Sequence, residues 1–111
     1  MHGLFVYGTL HPDRAPTEIR ALTRRFASLG PGTVMGRLLD LGEYPGLVLE
    51  GVLEPVPGEV FCVPEDVWPA LDAYEGFDAQ RPETSLFVRQ LCNVSMDDRS
   101  VAQHWVYVFR R

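Results

Sequence analysis

One carboxylate in this sequence stands in a setting suited to proton transfer. In Leu71-Asp72-Ala73-Tyr74-Glu75-Gly76, the leucine and Glu75 are at i and i+4 and share a helix face. Leu71 reads as core, so Glu75 projects from the helix end toward the interior or the lip of a cavity. It also lies near the negative end of the helix dipole. A carboxylate so placed holds its proton more tightly than usual, which suits a general acid or base. Taken alone, the same pattern also describes a surface glutamate ahead of a C-capping glycine. A second group is Tyr7-Gly8-Thr9-Leu10, a glycine turn following an apolar run. Successive N–H groups in such a turn can form an anion-binding concavity, and the Thr9 hydroxyl adds a donor. Taken alone, it is equally an ordinary strand-ending turn. Arg37, Tyr44, Arg89 and Tyr107 are each able to line a polar pocket or to serve as plain sheet residues.

These residues need elements to hold them. Leu4-Phe5-Val6-Tyr7 is a compact run of β-formers and reads as a buried strand. His11 to Pro16 reads as a loop. Thr17 is the expected N-cap of a helix with Glu18 in its first turn, its apolar face formed by Ile19, Leu22, Phe26 and Leu29 and its end at Gly30-Pro31. Thr33 to Leu41 reads as a strand in which Gly36 marks a bulge or a close backbone approach. Gly42 to Gly46 and Pro55 to Gly58 read as turns, with strands over Leu47–Leu49 and Glu59–Val63. A single helical turn is expected from Pro64, because Pro69 is tolerated only near a helix start, with the main helix beginning near Trp68 and ending at Gly76. Two strands, Thr84 to Val94 and Val101 to Phe109, flank the turn Met96-Asp97-Asp98-Arg99-Ser100. Trp105, Tyr107 and Phe109 share one face of the last strand, and the Tyr107 hydroxyl is expected to reach a cavity. Many short strands with two main helices imply an α+β fold, a small mixed β-barrel with a central cavity in one domain, residues 1–111.

Composition narrows the function. The 111 residues are 46% hydrophobic and 23% charged, ordinary for a chain with a real core. The net charge of −5 argues against nucleic acid and against anionic membrane surfaces. Arg20, Arg24 and Arg25 read as a solvated helix face. No apolar run is long enough to span a membrane, and the short opening run lacks the features of a signal peptide, so the expected location is the cytoplasm. Cys62 and Cys92 read as buried free thiols. His11-x-Asp13 is too sparse for a metal site, and neither metal nor organic cofactor is expected.

The order of motifs carries more than any one of them. Tyr7-Gly8-Thr9-Leu10, Tyr44-Pro45-Gly46, Leu71-Asp72-x-x-Glu75-Gly76, Phe87-x-Arg89 and Trp105-Val106-Tyr107-Val108 follow one another along the chain. Together they resemble the γ-glutamylcyclotransferase-like family, with its γ-glutamylamine cyclotransferase and AIG2-like branches. The resemblance implies a barrel with a cavity, a Tyr7–Leu10 loop that holds a γ-glutamyl group through backbone N–H groups, an essential glutamate at Glu75 and a cavity-lining tyrosine at Tyr107. Phe87 stands where many members carry tyrosine, and His11 to Pro16 differs from their usual loop. The implied reaction releases 5-oxoproline from a γ-glutamyl amine or peptide, with no cofactor. The alternative is a non-catalytic small-molecule-binding module on the same fold.

Overall fold

The computed structural model describes residues 2–8, 11–42 and 44–110. Its elements are β1 (Leu4–Val6), α1 (Thr17–Thr23), β2 (Ala27–Asp40), β3 (Pro45–Val48), β4 (Glu54–Cys62), α2 (Trp68–Glu75), β5 (Phe87–Met96) and β6 (Val101–Phe109). The sheet order is β3-β2-β4-β1-β6-β5, and β5 returns to pair with β2 through Gly32–Met96 and Thr33–Ser95. Strands β2, β4, β1, β6 and β5 therefore close on themselves, with β3 attached outside the ring to β2. The pairings are antiparallel except that of β1 with β6. The architecture is the expected small mixed barrel with two helices.

Period-two alternation divides the core into two parts. Leu4, Val6, Phe61, Phe87 and Tyr107 face the helices, packing with Ile19, Val67, Trp68 and Leu71. Their neighbours Phe5, Val60, Val106 and Val108 face the other way and pack with Val34, Val56 and Val94 inside the curled sheet. Leu71 and Val67 are fully buried, so α2 is held by packing, as an eight-residue helix must be. The single turn before it, Glu65–Val67, leads into Trp68, with Pro69 in the first helical turn. Gly76 closes α2 at φ 73°, in the left-handed region where glycine carries no Cβ penalty.

Two expectations require correction, and a third resolves to one of its alternatives. Helix α1 ends at Thr23, and residues 27–30 already belong to β2, where Leu29 is exposed. Ladder pairing of Ala27 with Cys62 and Ser28 with Phe61 outweighs the weak preference of a short local helix. The register shift in β2 falls between Ser28 and Gly30. Gly36 is a close approach, where a Cβ would meet Leu47 Cδ1 at 2.6 Å. Finally, Pro55 to Gly58 is no turn; it lies inside β4, opposite Met35, Val34, Thr33 and Gly32. The paired register of β1 on β4 covers only residues 59–61. Proline is tolerated where the N–H side of a strand has no neighbour to serve.

Candidate active site

The end of β1 delivers the chain into a cleft between the sheet and the last turn of α2. Its lining comes from Phe5, Val6, Tyr7 and Gly8, from Tyr44 and Pro45 at the start of β3, from Glu75, and from Phe87 and Tyr107 on β5 and β6. The enclosed space is small, about 40 Å³, and opens to solvent at its mouth. Thus Tyr7, Gly8, Glu75 and Tyr107, widely separated along the chain, line one space. Thr9 and Leu10 lie outside the described residues.

Glu75 is half-buried, and burial pushes its carboxyl up from 4.5 to about 7. Loss of water around the anion is the cause, the effect expected of a carboxyl among Tyr, Phe and Pro rings. Such a group can accept and release a proton near neutral pH.

The two tyrosines are anchored. The Tyr7 hydroxyl donates to the Tyr107 carbonyl at 2.6 Å and accepts from the Leu47 N–H at 3.1 Å. It therefore ties the end of β1 to β6 and β3 and presents its ring to the cleft. The Tyr107 hydroxyl donates to Asp72 Oδ1 at 2.7 Å. The expectation that this hydroxyl is turned to the cavity is corrected: Tyr107 lines the space, but its proton is committed to Asp72. Burial holds both phenols well above their ordinary range, so both remain neutral.

Behind Tyr107 is a network that the spacing of the sequence does not reveal. Asp72 receives Arg89 through Nε at 2.9 Å and Nη2 at 3.2 Å. The guanidinium lies between the rings of Trp68 and Trp105, 4.6 and 4.5 Å from their centroids. Arg89 is thus a partner of α2 and not a lining residue. Arg37 lies in β2 beside Gly51, away from the cleft, whereas Tyr44 is at its mouth, 6.0 Å from the Phe87 ring. Also missed was an open groove continuous with the cleft, lined by Pro16, Glu18, Tyr44, Tyr74, Glu75, Leu86 and Phe87. Glu18 had signalled only a helix start, and Leu86 nothing; both became recognisable only when α1 and β5 converged.

His11 donates from Nε2 to Glu59 Oε1 at 2.8 Å, and Ser28 donates to the other oxygen of Glu59. The imidazole is engaged in pinning the loop after Gly8 to β4. Among the described residues no group of three or more His, Cys, Asp or Glu side chains could hold a metal ion. Cys92 is a buried free thiol, whereas Cys62, expected to be buried as well, is partly exposed. No described helix is long and apolar enough to cross a membrane.

The closed mixed sheet with one extra strand and two helices is a γ-glutamylcyclotransferase-like fold. The family model for gamma-glutamyl cyclotransferase, AIG2-like proteins matches residues 4–111, and the chain belongs to that family. Among solved structures, YkqA from Bacillus subtilis superposes with a TM-score of 0.74 at 22% identity, covering 98% of this chain and 36% of that one. The chain therefore spans about a third of that protein's length. An AIG2-like protein from Mus musculus gives a TM-score of 0.70 at 23% identity, covering 97% of this chain and 78% of that one. A gamma-glutamyl cyclotransferase gives 0.70 at 13% identity, covering 99% and 67%. At these identities the structures establish the shared fold. No curated protein matches the sequence.

Proposed function

We propose that this protein is a cyclotransferase that releases 5-oxoproline from a γ-glutamyl amine or peptide, with Glu75 as the proton-transfer group. The observation that carries the reading is the half-buried Glu75 carboxyl, poised near neutral pH, on the same cleft as the Tyr7-Gly8 turn. Membership in the family supports the reaction class.

The chemistry needs little apparatus, because nucleophile and electrophile are tethered in one molecule. The cleft holds the γ-glutamyl chain folded back on itself, which supplies proximity. Ionised Glu75 takes a proton from the α-ammonium. The freed amine attacks the γ-carbonyl carbon, a C–N bond forms, and the oxygen becomes an oxyanion. Backbone N–H groups of the Gly8–Leu10 turn are proposed to stabilise it. Protonated Glu75 then gives its proton to the departing nitrogen, the carbonyl re-forms as the original amide bond breaks, and the ring nitrogen passes its second proton through Glu75 to the released amine, leaving a neutral five-membered lactam and an ammonium. Proton and electron counts balance without a co-reactant.

The adjoining groove is the natural seat of the departing group. Glu18 is the charged residue in its lining apart from Glu75, the remainder being Pro16, Tyr44, Tyr74, Leu86 and the Gly76 and Phe87 positions. A neutral or cationic amine with an apolar body suits this surface better than one carrying its own carboxylate. The test is a panel of γ-glutamyl compounds that differ only in the departing amine, read by 5-oxoproline release. Release from one or more of them, faster where the amine lacks a carboxylate, is expected. Tight binding without release would instead favour a binding module.

A further inference from the structure

The ion pair behind Tyr107 is built more heavily than stability of a short helix requires. Asp72 and Arg89 are each only 18% exposed in their side chains. The carboxylate accepts two bonds from Arg89 and one from Tyr107, and the guanidinium is stacked between two indoles. Removing two charges from water costs several kcal/mol per ion, so such pairs add little net stability over apolar replacements. What the pair does have is location. Asp72 stands three residues before Glu75 on α2, hence on a neighbouring part of the same helix surface.

We propose that Asp72 and Arg89 are positioning residues for Glu75: together they rivet the last turn of α2 to β5 and β6 and hold the charge beside the Glu75 carboxyl at zero. The proposal rests on Glu75 being the proton-transfer group. With the pair intact, burial alone raises the Glu75 carboxyl, and the other ionisable groups around it are neutral or screened. Tyr7 at the end of β1 and Tyr107 on β6 are neutral, their phenols raised by burial. Tyr44 precedes β3 at the cleft mouth, and Glu18 of α1 lies across the groove where solvent screens it. A net charge left on either member of the pair would act on Glu75 through a poorly screened interior.

The two single substitutions must therefore push Glu75 in opposite directions. Asp72→Asn is isosteric and leaves Arg89 uncompensated; the cation favours ionised Glu75 and lowers its titration midpoint. Arg89→Gln leaves Asp72 uncompensated and raises it. Each shift should be on the order of one pH unit, and the double variant should return close to the parent. The experiment is a carbon-13 NMR titration of the glutamate side-chain carboxyls in the intact chain, with Glu75→Gln assigning the resonance. Opposed shifts that cancel in the double variant support the proposal. Unmoved midpoints, shifts of the same sign, or an Asp72→Asn chain that no longer folds would overturn it and leave the pair a purely structural tie. The titration stands apart from catalysis. Correct midpoints in a protein that never releases 5-oxoproline would remove the reaction while keeping the pair's control of Glu75.

Discussion

A carboxyl that must both take and give a proton has to differ little in free energy between its two forms, and at Glu75 burial supplies that balance. Water is withdrawn by the rings that share the cleft, while the negative end of α2 offers the anion no help. Replacing Glu75 by Gln keeps shape and removes the shuttle. Turnover on any accepted γ-glutamyl compound should fall by roughly 10²–10⁴-fold, with binding largely kept, as side-by-side measurements of 5-oxoproline release and ligand affinity would check. The same substitution has a stability signature. The folded value of about 7 lies above the ordinary 4.5, so the folded chain holds this proton more tightly than the unfolded one. The associated stability is fully present below about pH 4.5 and is lost as pH rises through 7. Glu75→Gln removes that loss: it should match the parent near pH 4 and exceed it above pH 7, by about 2 kcal/mol after allowance for partial exposure. Denaturant melts across that range would read it out, and a constant difference at all pH values would contradict the burial argument.

At the scale of elements, the cleft exists because three strands meet at one phenol. The Tyr7 hydroxyl is donor to β6 and acceptor from β3, so it fixes both distances at the floor of the site. Tyr7→Phe leaves a buried carbonyl and N–H without that partner, which should cost about 1–3 kcal/mol in a urea melt. Activity should decline with the loosened geometry while the pH profile keeps its midpoint, since the phenol takes no part in proton transfer. A shifted midpoint would return Tyr7 to the chemistry. Gly58 plays the complementary role on β4: an added Cβ would lie 2.5 Å from the Val6 carbonyl oxygen and 2.6 Å from Phe5 Cζ. Gly58→Ala should therefore lower the urea midpoint and cost roughly 1–3 kcal/mol as the end of β1 is pushed aside.

For the whole molecule, the decisive feature is the meeting of α1, α2 and the start of β5 around the groove. Its proposed selectivity against carboxylate-bearing departing groups depends on Glu18, an exposed residue whose field is screened. Glu18→Lys should shift the ratio of rates toward substrates with an anionic departing group by a few-fold, without altering the barrel. The shift should shrink as ionic strength rises from ~0.05 to ~0.5 M, where the Debye length falls to a few ångströms. An unchanged ratio at low salt would mean that the departing group leaves by another path.

Chain order and local chemistry were enough to mark the apolar run of β1, the start of α2 after its single turn, the Gly76 cap and the β5–β6 hairpin. Each depends on near neighbours: proline's missing donor, glycine's left-handed φ, or period-two alternation. Helix spacing from Leu71 only offered Glu75 as a candidate; the order of motifs, through the family they resemble, is what singled it out. Other features were decided only by contacts between distant segments. Residues 27–30 joined β2 because Cys62 and Phe61 were there to pair with them, and Pro55 and Pro57 stayed extended because one side of β4 carried the ladder. The proton of Tyr107 went to Asp72 because Arg89 and two indoles fixed that carboxylate in place. Local patterns report what a segment prefers in isolation; they cannot report which partner closes the barrel beside it, and closure is what set the surroundings of Glu75.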